Sequence, residues 1–228
     1  MKKLILVGKK IGCLIVLTGL LFFQARAQKY VFKNYTIEDG LPQATILSLY
    51  QDHHGNLWMG TQNGVSIFNG IEFHTLDTRN GLAGPLVTAI MEDKQCRYWF
   101  GHRYHGISLK KLSEIKTFSI NENGENTEIT AFVQDKTGKV WAGCLGKGLF
   151  VFDANKSLEE ISMEKITYED GLSSNNVYDL HIVKDEVWAA TDSGLTKISG
   201  LEGKYQFTHM TQNNSDLPTN DIRTITLD

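Results

Sequence analysis

Short runs of alternating apolar and polar residues recur along the chain. Residues 45–50 (TILSLY), 87–90 (VTAI) and 129–133 (ITAFV) alternate in this way and are rich in β-branched side chains. A period of two predicts half-buried β-strands and excludes helices, whose apolar positions recur every three to four residues. Each run leads into a turn that begins with Asp and, in two of the three, ends in Gly, which accepts the left-handed backbone conformation. The pattern therefore predicts antiparallel hairpins.

The second strand of every hairpin carries a tryptophan. These residues, spaced by about 40 to 50 positions, are Trp58, Trp99, Trp141 and Trp188. After a short loop a third run begins with Gly, and a fourth run ends near Phe73, Phe118, Thr167 and Phe207. Four antiparallel strands at this period predict a β-propeller blade, so the fold class is all-β with four complete blades. Because the tryptophan recurs at one place in every blade, we expect it to pack between blades.

The ends of this region predict further strands that have no complete blade. Residues 30–35 (YVFKNY) have the pattern of an outermost strand, and residues 221–228 (DIRTITLD) have that of a fifth innermost strand. The fifth inner strand disfavours a closed four-bladed ring, so we expect an incomplete propeller. A shortened remnant of a longer protein is one interpretation. It predicts poor solubility and no cooperative melting, because a flat blade face is left uncovered.

The recurring turn residues are interpreted as structural. Asp52, Asp93 and Asp135 occupy equivalent turns, where Asp caps the backbone. Cys96 and Asp185 stand in the place of the turn glycine in the second and fourth blades, and Cys96 is expected to carry some strain there. Sequences of the Asp-Gly-Leu type at 39–41, 80–82, 170–172 and, in degenerate form, 215–217 predict turns that lead the chain into the next blade.

The first 27 residues differ from the rest and predict a cleaved secretory signal peptide. Four lysines precede an apolar run at 11–23, and Ala-Arg-Ala at 25–27 suits a signal peptidase. The run is shorter than the roughly 20 residues that span a bilayer, although an uncleaved signal anchor stays as the alternative. We therefore expect a periplasmic mature protein, residues 28–228. Its Cys96 and Cys144 are expected at opposite ends of neighbouring hairpins, too far apart for a disulfide.

Composition narrows the classes of function. The net charge is −3 and 41% of the residues are hydrophobic, as in ordinary soluble globular proteins. A nucleic-acid partner is not expected, because no stripe of Lys and Arg offers a phosphate-binding surface. No Ser/His/Asp or Cys/His arrangement stands out, so we expect neither an enzyme nor a cofactor.

The residues from Asp52 to Val65 (DHHGNLWMGTQNGV) resemble the repeat of two-component regulator propellers, and residues 39–42 (DGLP) are similar to that family's inter-blade loop. The resemblance covers about residues 30–228. It implies a propeller outside the cytoplasmic membrane that senses a ligand, often an oligosaccharide, ahead of a membrane helix and a histidine kinase. Neither of the last two is expected within these 228 residues. The resemblance also implies a possible homodimer.

Strand order predicts which loops could bind a ligand. In an antiparallel four-stranded blade, the loop before the first strand and the loop between strands two and three share a face. Candidate ligand-binding residues in these loops are Gln62, Asn63, His102, Arg103, Tyr104 and His105. Planar hydrogen-bonding groups beside an aromatic surface suit a sugar, and Arg103 suits the carboxylate of an anionic sugar. No metal is expected at His102 and His105, because zinc generally takes three or four ligands.

Two other functions remain open. An exported propeller could serve as a protein-interaction scaffold without any signalling output. Residues 131–141, with Asp135 and Trp141, are also similar to the tryptophan-docking repeat of quinoprotein dehydrogenases, which would make the chain part of an enzyme. That repeat has one more residue between its glycine and tryptophan, and the other three blades lack the Thr-Gly-Lys of residues 137–139.

Overall fold

The computed structural model describes residues 32–120, 127–200 and 204–226. The chain divides into two compact units, Met1–Asn34 and Tyr35–Asp228, and the fold described below belongs to the second. The predicted signal peptide, residues 1–27, lies outside the described residues. Within the described ranges, no helix combines the length and the apolar character that crossing a bilayer requires.

The strands form four antiparallel sheets, each built from four strands that are consecutive in the chain. The first sheet contains β1 (Ile46–Gln51), β2 (Leu57–Thr61), β3 (Gly64–Phe68) and β4 (Phe73–Leu76). The second contains β5 (Val87–Glu92), β6 (Tyr98–His102), β7 (Ile107–Lys111) and β8 (Glu114–Phe118). The third contains β9 (Glu128–Gln134), β10 (Lys139–Leu145), β11 (Gly148–Asp153) and β12 (Met163–Ile166). The fourth contains β13 (Val177–Val183), β14 (Glu186–Thr191), β15 (Gly194–Ser199) and β16 (Gln206–Met210). This arrangement confirms the predicted all-β blades.

Neighbouring blades meet along their first strands: β1 contacts β5, β5 contacts β9, and β9 contacts β13. Each first strand has a bulge after its first core residue, which is the first residue of the strand or, in β9, the second; the bulge increases the local twist. From the second blade on, that first core residue is fully buried against a glycine of the preceding blade. The aliphatic–glycine pairs are Val87 on Gly60, Ile129 on Gly101 and Val177 on Gly143.

These pairs explain the Trp-x-Gly motif. A Cβ on Gly101 would lie 2.4 Å from Ile129 Cγ2, and one on Gly143 would lie 2.9 Å from Val177 Cγ1. Any larger residue would therefore push the two blades apart. The equivalent position of the first blade, Ile46, has no blade before it among the described residues and is 39% exposed, whereas Ile129 is 0% exposed.

The tryptophans also pack between blades, as predicted, for three of the four. Each ring lies against an aromatic ring of the next blade. The ring pairs are Trp58–Tyr98 at 3.9 Å, Trp99–Phe152 at 5.0 Å and Trp141–Tyr205 at 5.0 Å. Together with the aliphatic–glycine pairs, these rings bury the space between sheets and form the core.

The recurring Asp of each turn binds its tryptophan. Asp52 Oδ1 accepts the backbone N–H groups of His54 and Asn56, and its Oδ2 accepts the Trp58 indole N–H at 2.8 Å. Asp93 and Asp135 accept Trp99 and Trp141 in the same way, each at 2.9 Å. The structural interpretation of these carboxylates is thereby supported by geometry.

The third turn is the one whose sequence is similar to a quinoprotein repeat. Its Asp135 accepts hydrogen bonds from two backbone N–H groups and from the Trp141 indole, as the aspartates of the first two turns do.

The fourth turn is built differently. Lys184 and Asp185 form a two-residue turn between β13 and β14, with φ of 47° and 70°. Asp185 has the left-handed conformation expected of it, but its turn is shorter and its carboxylate pairs with Lys136 and not with the tryptophan. Trp188 Nε1 is buried and has no hydrogen-bond partner in the described part of the chain. Cys96, as predicted, takes the left-handed conformation with φ of 56°.

The flanking segments pack on the blades without being assigned to strands in the described residues. Of residues 30–35, the described part includes Tyr35, whose ring lies 4.9 Å from that of Phe68. Residues 221–226 run beside the fourth blade, where Ile222 donates its backbone N–H to Thr191 O at 2.9 Å. The predicted fifth inner strand is therefore not formed. A strand requires a hydrogen-bonded partner strand, and the described residues contain no such partner for residues 221–226.

Replacing Gly101 with Ala should destabilise the protein by about 1 to 3 kcal/mol, because the new methyl overlaps Ile129 across the blade interface. Urea denaturation measures this loss. The double variant G101A/I129A should show a favourable coupling energy between the two sites, because removing the Ile129 side chain relieves the overlap. Strictly additive losses would contradict the direct contact.

Asp52 should contribute stability that depends on pH. Burial raises the pKa of Asp52, but hydrogen bonds from Trp58, Asn56 and Tyr98 outweigh it and lower the pKa to about 2. Because the folded pKa lies below the unfolded one, this contribution is present above pH 4 and is lost as the pH falls towards 2. Its size is about 1 to 2 kcal/mol after solvent screening.

Denaturation of Asp52→Asn at pH 7 and at pH 2.5 tests this contribution. The variant should be less stable than the wild type at pH 7 and closer to it at pH 2.5. Asp185→Asn is the matched control, since this exposed turn carboxylate contacts no indole and should change stability by less than about 0.5 kcal/mol. Equal losses for the two variants at pH 7 would refute the role of the indole bond.

Candidate ligand-binding face

The loops between second and third strands lie beside the loops that precede the first strands, as predicted. One backbone hydrogen bond joins each of the first three such loops to the start of the next blade. These bonds run from Gly64 N–H to Pro85 O at 2.7 Å, from Tyr104 N–H to Thr127 O at 2.7 Å, and from Gly148 N–H to Asn175 O at 2.9 Å. We call this surface the loop face; it comprises residues 40–45, 61–64, 82–86, 102–106, 145–148, 172–176 and 191–194.

The Asp-Gly-Leu sequences position the loops that precede the blades. In the first, Thr36 and Asp39 cap a short 3-10 turn (Ile37–Asp39), and Gly40 follows with φ of 107°. The same reciprocal caps are present in Thr78–Asn80 and Tyr168–Asp170. Leu41, Leu82 and Leu172, which follow the glycines, are buried and anchor the loops. These features confirm the interpretation as inter-blade turns.

The cap before residues 215–217 lies one residue further from its leucine than the cap of the first copy does. Thr211 and Asn214 form this cap, since Thr211 donates its backbone N–H to Asn214 Oδ1 at 2.7 Å. Asn214 thus takes the place that Asp39 has in the first copy. The extra residue before Leu217 explains why the motif looks degenerate in the sequence.

His102 is buried beneath the loop face and does not reach its surface. Its ring is 0% exposed, and Nε2 lies 2.8 Å from Ser108 Oγ. Burial, with a smaller contribution from His105, lowers the pKa of His102 to about 4, so the ring is neutral at pH 7. His102 is therefore the one of the six predicted ligand-binding residues that packs beneath the loop and is not exposed on its surface.

The other three residues of the second blade's loop differ in their exposure to solvent. The Arg103 guanidinium donates to Glu128 Oε2 at 2.6 Å, and this bond raises the pKa of Arg103. Tyr104 is exposed and has φ of 69°, which turns it out of the strand direction. His105 is also exposed, and its ring covers Gly84, where a Cβ would lie 2.4 Å from the ring. Tyr104 and His105 are therefore the accessible pair.

Gln62 and Asn63 are both exposed on the first blade's loop. Gln62 accepts a hydrogen bond from the amide of Gln43, at 3.1 Å, in the loop before the same blade. The Asn63 backbone N–H donates to Thr61 Oγ1 at 3.0 Å, which leaves its side chain on the surface. This loop offers amide groups in a fixed position.

A cavity of about 430 Å³ opens at the fourth blade, at the edge of the loop face. It is lined by Tyr168, Gly171, Leu172, Ser173, Ser193, His209 and Thr211. Ser173 Oγ lies 2.9 Å from Thr191 Oγ1 and 2.6 Å from Thr196 Oγ1, and this network fixes its hydroxyl group. The Tyr168 ring is 66% exposed at the cavity rim.

Sequence reasoning missed this cavity. Ser193 belongs to a loop that was placed on the face, but Tyr168 lies in a 3-10 turn and His209 in β16. The one available signal was the aromatic residue at the first position of Tyr168–Asp170, where the other two turns have Ile37 and Thr78.

The repeated blades define a protein of the β-propeller class, and comparison with known proteins specifies the repeat. Residues 40–63 match the sequence model of the family described as two component regulator propeller. This match confirms the resemblance found in the sequence. A histidine kinase named P4 from Formosa agariphila is 38% identical over 61 residues, which are 26% of this chain and 4% of that protein.

Solved structures share the fold at low sequence identity. The extracellular domain of a hybrid two-component system from B. thetaiotaomicron has a TM-score of 0.69 and 21% identity, covering 90% of this chain and 28% of that one. PorZ, a surface component of the type-IX secretion system of Porphyromonas gingivalis, has a TM-score of 0.58 and 16% identity, covering 87% and 32%. Virginiamycin B lyase from Staphylococcus aureus has a TM-score of 0.57 and 14% identity, covering 81% and 59%. This chain therefore spans less than two thirds of each relative.

His102 should make stability fall between pH 6.5 and pH 4. Its folded pKa is below the unfolded value, so the unfolded state binds more protons in that window and acid favours unfolding. The difference amounts to about 3 kcal/mol. In His102→Gln the slope of unfolding free energy against pH should flatten in this window, whereas His105→Gln, an exposed neighbour, should keep it. An unchanged slope in His102→Gln would contradict the burial of a neutral ring.

Proposed function

We propose that the loop face binds a neutral oligosaccharide and that the chain serves as the extracytoplasmic sensing region of a two-component sensor. The cavity lined by Tyr168, Ser173 and Ser193 is the observation that carries this proposal. The family repeat and the likeness to extracellular domains of two-component systems support the sensing role.

The cavity has the chemistry that a sugar requires. Its hydroxyl and imidazole groups donate and accept hydrogen bonds, and the exposed Tyr168 ring offers a flat apolar surface for the C–H face of a pyranose. The volume of about 430 Å³ lies within the range of small-ligand sites. Hydroxyl groups beside an exposed aromatic ring favour a carbohydrate over a purely apolar ligand.

Charge at the second blade's loop favours a neutral sugar. Arg103 was the candidate partner for a sugar carboxylate, but Glu128 already accepts its guanidinium at 2.6 Å. An anionic sugar would have to displace this carboxylate. The exposed rings of Tyr104 and His105 can stack against a sugar, so this loop can extend a site for a neutral chain of sugars.

The proposal also places the propeller outside the cytoplasm. The predicted signal peptide at residues 1–27 would export residues 28–228 to the periplasm, where oligosaccharides arrive. A sugar bound on the loop face would then change the population of propeller states that a downstream kinase detects.

Calorimetric titration of the full chain with neutral oligosaccharides and with uronic-acid oligosaccharides of the same length tests the ligand. We expect binding of a neutral oligosaccharide that weakens at least about tenfold, or 1.4 kcal/mol, in Tyr168→Ala and in Ser193→Ala. Ile71→Ala, which truncates an exposed apolar residue in the β3–β4 turn of the opposite face, is the matched control and should bind normally.

Two outcomes would overturn this proposal. Preferential binding of the uronic-acid series would reject a neutral ligand, and unchanged affinity in both cavity variants would reject the site. A folded chain that binds neither series would favour the interaction scaffold, whose partner is a protein.

A further inference from the structure

On the face opposite the loop face, the turns of the first two blades bring together an imidazole, a carboxylate and a thiol. Ligand atoms of His53, Glu92 and Cys96 all lie within 4.8 Å of one another. They line a cavity of about 420 Å³ between the β1–β2 turn and the β5–β6 turn. We propose that these three residues, here called the turn cluster, bind a zinc ion.

Glu92 and His53 already connect the two blades. The His53 backbone N–H donates to Glu92 Oε2 at 3.0 Å, and His53 Nδ1 lies 2.5 Å from Glu92 Oε1. The Glu92 side chain is only 6% exposed, so its carboxylate is largely removed from water and needs a cationic or hydrogen-bonding partner. The His53 imidazole is this partner at present, and a metal ion bound between the two groups could replace their hydrogen bond.

Cys96 supplies the third ligand at a position where the other turns have none. Gly55 and Gly138 take the left-handed conformation in the first and third turns, with φ of 86° and 89°. Cys96 adopts φ of 56° in the second turn, which costs a residue with a Cβ about 1 to 2 kcal/mol. The thiol is exposed and unpaired, whereas Cys144 is buried in the core. A strained turn thus presents a thiol to the cavity that contains His53 and Glu92.

The three donors suit zinc. Zinc accepts Cys sulfur at about 2.3 Å, His nitrogen at about 2.0 Å and carboxylate oxygen at about 2.0 to 2.2 Å. Tetrahedral ligand atoms at those bond lengths are about 3.3 to 3.7 Å apart. The present ligand atoms already lie within 4.8 Å of one another, so modest side-chain rotations would separate His53 from Glu92 and make room for the ion. A thiolate and an imidazole favour zinc over magnesium or calcium, which prefer oxygen ligands.

Charge and protons balance at this site. Binding forms three metal–ligand bonds and releases the thiol proton, while the imidazole keeps its proton on the ring nitrogen that does not bind zinc. A thiolate and a carboxylate then neutralise the dication, and water takes the fourth position. Lys94 also lines the cavity, but its Nζ donates to Asp135 O at 3.0 Å on the third blade. The bound ion would join the first two blades by coordinate bonds.

Titration of the untagged full chain with Zn²⁺, measured by calorimetry, tests the site. We expect one zinc per chain at this cluster, with affinity reduced at least about tenfold in Cys96→Gly and in His53→Ala. His74→Ala, which removes an exposed imidazole on β4 that pairs with Glu72, is the matched control and should bind as the wild type does.

Cys96→Gly also separates metal binding from folding. It restores the residue found in the first and third turns, so it should fold with equal or greater stability without metal. Zinc should raise the melting temperature of the wild type and leave that of Cys96→Gly unchanged. Cobalt should give the wild type a thiolate-to-metal charge-transfer absorption that this variant lacks. Equal zinc affinity in the wild type and Cys96→Gly, or no zinc binding by the wild type, would overturn the proposal.

Discussion

Adjacent blades are held together by an aliphatic side chain seated on a glycine, and the positions of the loops depend on that contact. Because Gly101 has no side chain, Ile129 reaches the backbone of the preceding blade and the two inner strands lie close together. This close approach of the strands also brings the Tyr104 backbone nitrogen to 2.7 Å from Thr127 O at the loop face. Between the first two blades, the equivalent Val87–Gly60 contact brings His53 to Glu92 on the opposite face. The turn cluster therefore lies between two blades whose separation this packing sets.

The two faces of the blades are stabilised by different means. On one face the Asp–indole bonds fix each turn to its own sheet, so these turns repeat with little variation except for Cys96 and the fourth blade. On the loop face the bonds run to the next blade, and the exposed residues differ from blade to blade. A face with fixed backbone and variable side chains is well suited to recognition, because specificity can change without disturbing the core.

The blades could be predicted from the sequence because their signals are local. Alternation within a strand, Asp in the turn and Trp in the second strand all lie within about 15 residues of one another. The candidate sites could not be predicted from the sequence, because they join residues that are close only in the folded chain. His53 meets Glu92 across a blade interface, and Tyr168 meets His209 across the fourth sheet. His102 misled the prediction because a loop position gave no sign that Ser108 would hold its ring inside.

The short turn at Lys184 and Asp185 has a consequence for how the chain folds. Both residues have positive φ, as in the two-residue hairpin turns whose twist matches that of the flanking strands. Closing such a turn costs less chain entropy than closing the longer Asp turns, because fewer residues are immobilised before the first ladder bonds form. Among the hairpins that join the first and second strands of a blade, β13–β14 therefore has the lowest closure cost, so the order in which these hairpins form need not follow their order in the chain.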